Sequence, residues 1–126
     1  MKIVALIARI LLGLVFLIFG LNGFFNFLPM PPFPAGPGGT FMGVLLSTHY
    51  FLVVTAIEVT GGALLLVNRR VPLALTLLGP VIVNIFLFHA LMERSGLPMA
   101  MIIVALWGVL FWANKPAFAG ILGPSR

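Results

Sequence analysis

The sequence has no cysteine and only two acidic residues, Glu58 and Glu93, in 126. Without cysteine there are no disulfides, no thiolate metal sites and no Cys-x-x-Cys redox pair, which removes one class of membrane oxidoreductase. The chain holds no paired carboxylates, no nucleophile-base-acid set and no phosphate-binding glycine loop, which argues against direct hydrolytic chemistry. Charge of either sign is scarce: 7% of residues are charged and 62% are hydrophobic, against about 25% charged in ordinary soluble domains. The net charge of +5 would suit nucleic acid. The basic residues, however, sit at the ends of apolar segments rather than in a stripe, which argues against a nucleic-acid partner.

Apolar windows fill most of the chain, at about 3–28, 50–67, 71–92 and 97–114, each near the roughly 20 residues a helix needs to cross hydrocarbon. The expected fold is all-α: a single integral membrane domain over 1–126, built as an antiparallel up-down four-helix bundle. The first apolar run is too long for a cleaved signal and is interrupted by Arg9, so it is read as a span. Lys2, Arg9, Arg69, Arg70, Lys115 and Arg126 fall on one side, while Glu93 and Arg94 cancel on the other. The positive-inside rule then puts both termini in the cytoplasm.

The segment PMPPFPAGPGGT (29–40) carries five of the ten prolines and three glycines, which makes it an outer loop. After it, either Thr40 caps a short interfacial helix, FMGVLLS, or the second span starts early. Pro72 and Pro98 suit the first turns of spans three and four. Pro80 beside Gly79 should kink span three. Trp112 with Lys115, and Tyr50 opposite them, fit interfacial anchors, whereas the deeper Trp107 fits packing.

Glu58 lies in the apolar run FLVVTAIEVTGGALLLVN, where an unpaired carboxylate costs at least a few kcal/mol. Counting residues from the span ends places Arg9 within about one helical turn of its depth. Helical spacing groups Arg9, Gly13, Phe16, Gly20 and Gly23 on one face, and Thr55, Glu58, Gly61, Gly62 and Leu65 on another. A buried Arg9–Glu58 pair is the expectation, with a purely structural role or snorkelling of Arg9 as the alternatives. Asn22, Asn26, His49, Asn84 and His89 fall toward the outer half and are candidates to line a polar pocket. Two histidines without a nearby carboxylate or thiolate make a poor metal site, so no metal is expected.

The stretches ARILLGLVFLIFGLNGF (8–24) and EVTGGALLLVNRRVPLALTLLGPVIVNIFLFH (58–89) resemble the DoxX family of small bacterial membrane proteins. The resemblance covers nearly the whole chain and rests on Arg9, Glu58, Gly61, Gly62, Asn84 and His89. It implies a location in the bacterial cytoplasmic membrane. It also implies an association with membrane redox complexes, since the family is similar to the small subunit of an archaeal thiosulfate:quinone oxidoreductase. Distant animal relatives look like receptor-assembly chaperones. Three functions follow as expectations. In the first, an accessory or quinone-linked redox subunit, the polar residues bind the quinone head. In the second, a non-catalytic assembly protein sits in the lipid bilayer, its polar pair is structural, and its lipid-facing surface binds another membrane protein or a second copy of itself. The third is a small proton-coupled transporter, disfavoured because the acid lies in the second span and the basic bias is clear.

Overall fold

A computed structural model describes residues 2–29 and 32–123. Met30 and Pro31 of the proline cluster, and Arg126, lie outside the described residues. The helices are α1 (Lys2–Phe25), α2 (Pro37–Ser47), α3 (Tyr50–Leu66), α4 (Val71–Leu91), α5 (Leu97–Ala113) and a short α6 (Ala119–Leu122). Among the described residues there is no strand. α1, α4 and α5 with its preceding 3-10 turn are each long and apolar enough to cross a membrane, and α2 with α3 makes a fourth candidate bent by 88°. Three to four such helices are compatible with a multi-pass membrane protein.

Helix boundaries follow local chemistry. α1 ends where Asn26 takes a left-handed φ of 50° and its N–H donates to the Asn22 carbonyl at 2.8 Å. The Asn22 side chain then accepts from the Leu28 N–H, also at 2.8 Å, and Pro29 stops any continuation. Pro37, Pro72 and Pro98 stand in the first turns of α2, α4 and α5, where a missing N–H leaves nothing unpaired. The helix after the proline loop starts at Pro37 rather than at Thr40. Thr40 lies inside it, with its hydroxyl donating back to the Gly36 carbonyl at 3.1 Å. Between α2 and α3, His49 adopts a left-handed φ of 61°, which turns the chain through the bend.

α1 packs on α3 and α5, and α4 packs on the same two helices. Leu12 and Phe16 of α1, Leu65 of α3, Leu75 and Leu78 of α4 and Leu110 of α5 meet in a sealed core. The outward faces remain apolar, as at Ile3, Val53 and Ile102, which are between 61% and 71% exposed. Surfaces of that kind are stable only against lipid or another apolar partner.

The α1–α3 seam is the tightest. A methyl group placed on Gly62 would lie 2.6 Å from the Leu17 nitrogen and 2.9 Å from the Gly13 oxygen, so backbone touches backbone. Further along, Gly20 faces Val59 and Glu58, and Gly23 faces Thr55. The pairing therefore runs in opposite directions along the two helices. Small residues permit this approach, and in hydrocarbon the resulting van der Waals contact replaces the absent hydrophobic drive.

On the other side of the bundle, the Trp107 Nε1–H of α5 donates to the Leu75 carbonyl of α4 at 2.9 Å, and its ring stacks on Phe111 at 5.4 Å. Trp107 is thus a packing residue that also ties two helices. α4 runs unbroken through Pro80.

Gly62→Leu is expected to lower stability by about 1–3 kcal/mol or more, since backbone cannot yield as a side chain does. Thermal unfolding in detergent checks this, with Gly108→Leu as the control because a Cβ there meets nothing within 4 Å. Equal melting of the two variants would contradict the seam.

Candidate functional site

Arg9 projects from α1 onto the end of α3. Its Nη1–H group donates to the Leu65 carbonyl and, at 3.3 Å, to that of Leu66. The last four carbonyls of any helix lack intrahelical partners. Here Val67 N–H reaches Ala63, Arg69 N–H reaches Leu64 and Asn68 N–H reaches Leu65, so Arg9 supplements the cap at Leu65 and provides it at Leu66. It also sets a cation at the negative end of the helix dipole.

The expected Arg9–Glu58 ion pair is therefore replaced. Among the described residues no ion pair joins them; Glu58 faces Gly20 instead. From Glu58 to Leu65 is about 10 Å along the axis at roughly 1.5 Å per residue, and an arginine that bridged this distance would give up the carbonyls it caps. Register is set by the glycine seam, which puts Arg9 beside Leu66 and Glu58 more than a turn away from it.

Glu58 is half-buried, and no hydrogen bond reaches its carboxylate from the described residues. One turn away, the Thr55 hydroxyl is the single fully buried side-chain polar atom among the described residues with no partner. The Glu58 oxygens are not sealed in this way. Glu58 is the one charged residue of α3.

The other candidate residues satisfy themselves locally. Asn22 and Asn26 form the turn that closes α1. His49 is exposed at the α2–α3 bend. The Asn84 amide donates to the Pro80 carbonyl at 2.9 Å on its own helix. The His89 Nδ1–H donates to the Glu93 carbonyl at 3.1 Å, while its ring packs on Phe88 and against Gly96. No hydrogen bond joins any of these five to another through side chains. Among the described residues no group of three His, Cys, Asp or Glu could hold a metal ion.

Concave surfaces among the described residues include an apolar groove and a basic cleft. An apolar groove of about 360 Å³ runs between α4 and α5 along Gly79, Ile82, Phe86, Val104 and Trp107. The second, at the end where Arg9 caps α3, gathers Lys2, Arg9, Asn68 and Asn114. In the sequence Lys2, Arg69 and Arg70 read only as topology signals, and Asn68 and Asn114 do not stand out. The available signal was that an up-down topology brings the start of span one, the turn after span two and the end of span four to one face.

The chain matches no family model, no curated relative and no solved structure.

Arg9→Met is expected to destabilise the fold by about 1–3 kcal/mol by leaving the Leu66 carbonyl without a donor and the Leu65 carbonyl with one fewer, while Glu58→Gln should be nearly neutral. The double variant should be additive within about 0.5 kcal/mol. Chemical unfolding in detergent of the four proteins measures the coupling, and a larger value would restore a direct Arg9–Glu58 interaction.

Proposed function

We propose that the chain is a DoxX-like four-span protein of the bacterial cytoplasmic membrane and acts as a non-catalytic accessory subunit. In this role it holds another membrane protein, or a second copy of itself, against its α3 face. The observation that carries this is Glu58: a half-buried carboxylate within an apolar helix, with no hydrogen-bond partner among the described residues and with oxygens that are not sealed in the core. A donor on a neighbouring transmembrane helix would satisfy it. The remaining polar side chains inside the spans are spent on backbone groups or, like Thr55, sealed in packing, so no constellation of reacting groups is assembled. In the proposed arrangement α1, α3, α4 and α5 cross as an antiparallel bundle, α2 lies in the outer interface at its 88° angle to α3, and the basic end faces the cytoplasm. The redox setting is supported by the DoxX resemblance, namely Arg9, the Glu58-x-x-Gly61-Gly62 run and His89 at the end of α4.

A quinone-linked role has one observation of its own. The α4–α5 groove beside Gly79, Phe86 and Trp107 is shaped for an isoprenoid tail, although its walls offer no partner for quinone carbonyls. Quinone extracted with the purified protein and lost in Gly79→Leu would support it; quinone-free protein that takes up no added quinone rules it out.

For the assembly role, mild-detergent purification from native membranes should yield a stoichiometric partner or a dimer. Glu58→Gln should weaken that association about 5–30-fold, the equivalent of one intramembrane hydrogen bond of roughly 1–2 kcal/mol. Melting of the isolated chain should not change. A variant that keeps its partner at full affinity would refute the role of Glu58.

A further inference from the structure

The basic end of the bundle holds an open cleft of about 280 Å³ between the first turns of α1, the α3–α4 turn and the last turn of α5. Lys2, Arg9, Asn68 and Asn114 form its polar wall, and Leu6 and Leu110 belong to its apolar wall. Among the described residues no carboxylate lines it. Glu93 sits in the α4–α5 turn at the far end, and Glu58 is more than a turn along α3.

Among the described residues no acidic group offsets the positive potential there. α1 and α4 both begin at this end, and α4 has no side-chain cap, so two helix N-termini add to the charge of Lys2 and Arg9. The negative ends of α3 and α5 are already covered, the first by Arg9 and the second by the Asn114 amide, which donates to the Leu110 carbonyl at 2.8 Å. The Nε–H and Nη2–H groups of Arg9 make no hydrogen bond among the described residues, which leaves a planar set of donors suited to phosphate oxygens. Nearby, Lys115 lies 4.6 Å over the exposed Trp112 ring, an arrangement typical of the headgroup level of a membrane.

We propose that this cleft binds the phosphate of an anionic phospholipid, held by Lys2 and the free edge of Arg9 with Asn68 beside them, while the first methylenes of the lipid run along Leu6 and Leu110. The volume suits a headgroup and the start of its chains rather than a whole lipid. The inference rests on the membrane crossing proposed above and is independent of the partner at Glu58. Free phosphate shares the recognising chemistry but would use the polar wall alone.

The test is native mass spectrometry of the full chain released from detergent, titrated separately with phosphatidylglycerol, phosphatidylcholine and inorganic phosphate. One phosphatidylglycerol should be retained in preference to phosphatidylcholine and should not be displaced by an equal concentration of inorganic phosphate. Lys2→Gln should weaken its retention roughly fivefold, the effect of removing one basic residue near an anionic headgroup. Asn68→Gly keeps the left-handed backbone, φ 55°, removes the amide and should also weaken it, whereas Arg94→Gln at the far end should not. Equal retention of the two lipids, or wild-type retention by both Lys2→Gln and Asn68→Gly, would mean an unspecific lipid belt and overturn the proposal. Displacement by inorganic phosphate would overturn the lipid as its source. Protein that needs detergent yet retains no phosphatidylglycerol sinks this proposal alone; protein soluble without detergent sinks the membrane crossing as well.

Discussion

In hydrocarbon, two apolar helices gain little by exchanging lipid contact for each other, so they must come close enough for backbone to meet backbone. The α1–α3 seam satisfies that constraint through Gly13 and Gly62, where there is no room even for a methyl group. Once these two helices are locked, the depth of every residue on them is decided. Leu12, Phe16 and Leu65 then turn to the same side, and α4 and α5 close over them.

The seam also assigns the polar groups their partners. Arg9 is brought to the last turn of α3, where carbonyls are short of donors, and a guanidinium with several N–H groups can serve more than one of them. Glu58 faces Gly20, which offers it no side-chain donor, and has no hydrogen-bond partner among the described residues. One packing contact thus gives the arginine its partners within the fold and withholds it from the carboxylate. The same logic runs through Asn22, Asn84, His89 and Asn114, each of which meets a backbone group close by in sequence.

Much of the architecture was legible in the residues. Apolar windows located the long helices to within a few residues, the prolines marked their starts, and helical spacing placed Gly13, Phe16, Gly20, Thr55, Gly61, Gly62 and Leu65 on buried or packed faces. The pairing of Arg9 with Glu58 failed for a physical reason. Matching depth by counting from span ends assumes helices of equal length and insertion, but α1 has 24 residues and α3 has 17. The glycines carried the register, and opposite charges drew attention from them. The outer polar group was misleading in another way: composition shows that Asn22 and His89 are polar, but not that a backbone N–H or C=O lies close enough to satisfy them first. The basic cleft was hidden because its residues come from three separate helix ends.

The shortness of α3 has a further consequence. Its 17 residues extend about 25 Å, less than the roughly 30 Å of an average hydrocarbon layer, and the perpendicular α2 adds breadth rather than height. Lipid beside α3 must therefore shorten its reach while lipid beside α1 need not, which gives the molecule a thin side and a thick side. An inclusion of that shape gathers near others whose edges match it, since each shared edge spares the bilayer some deformation. In the proposed membrane setting, mismatch alone would thus favour neighbours along the α3 flank.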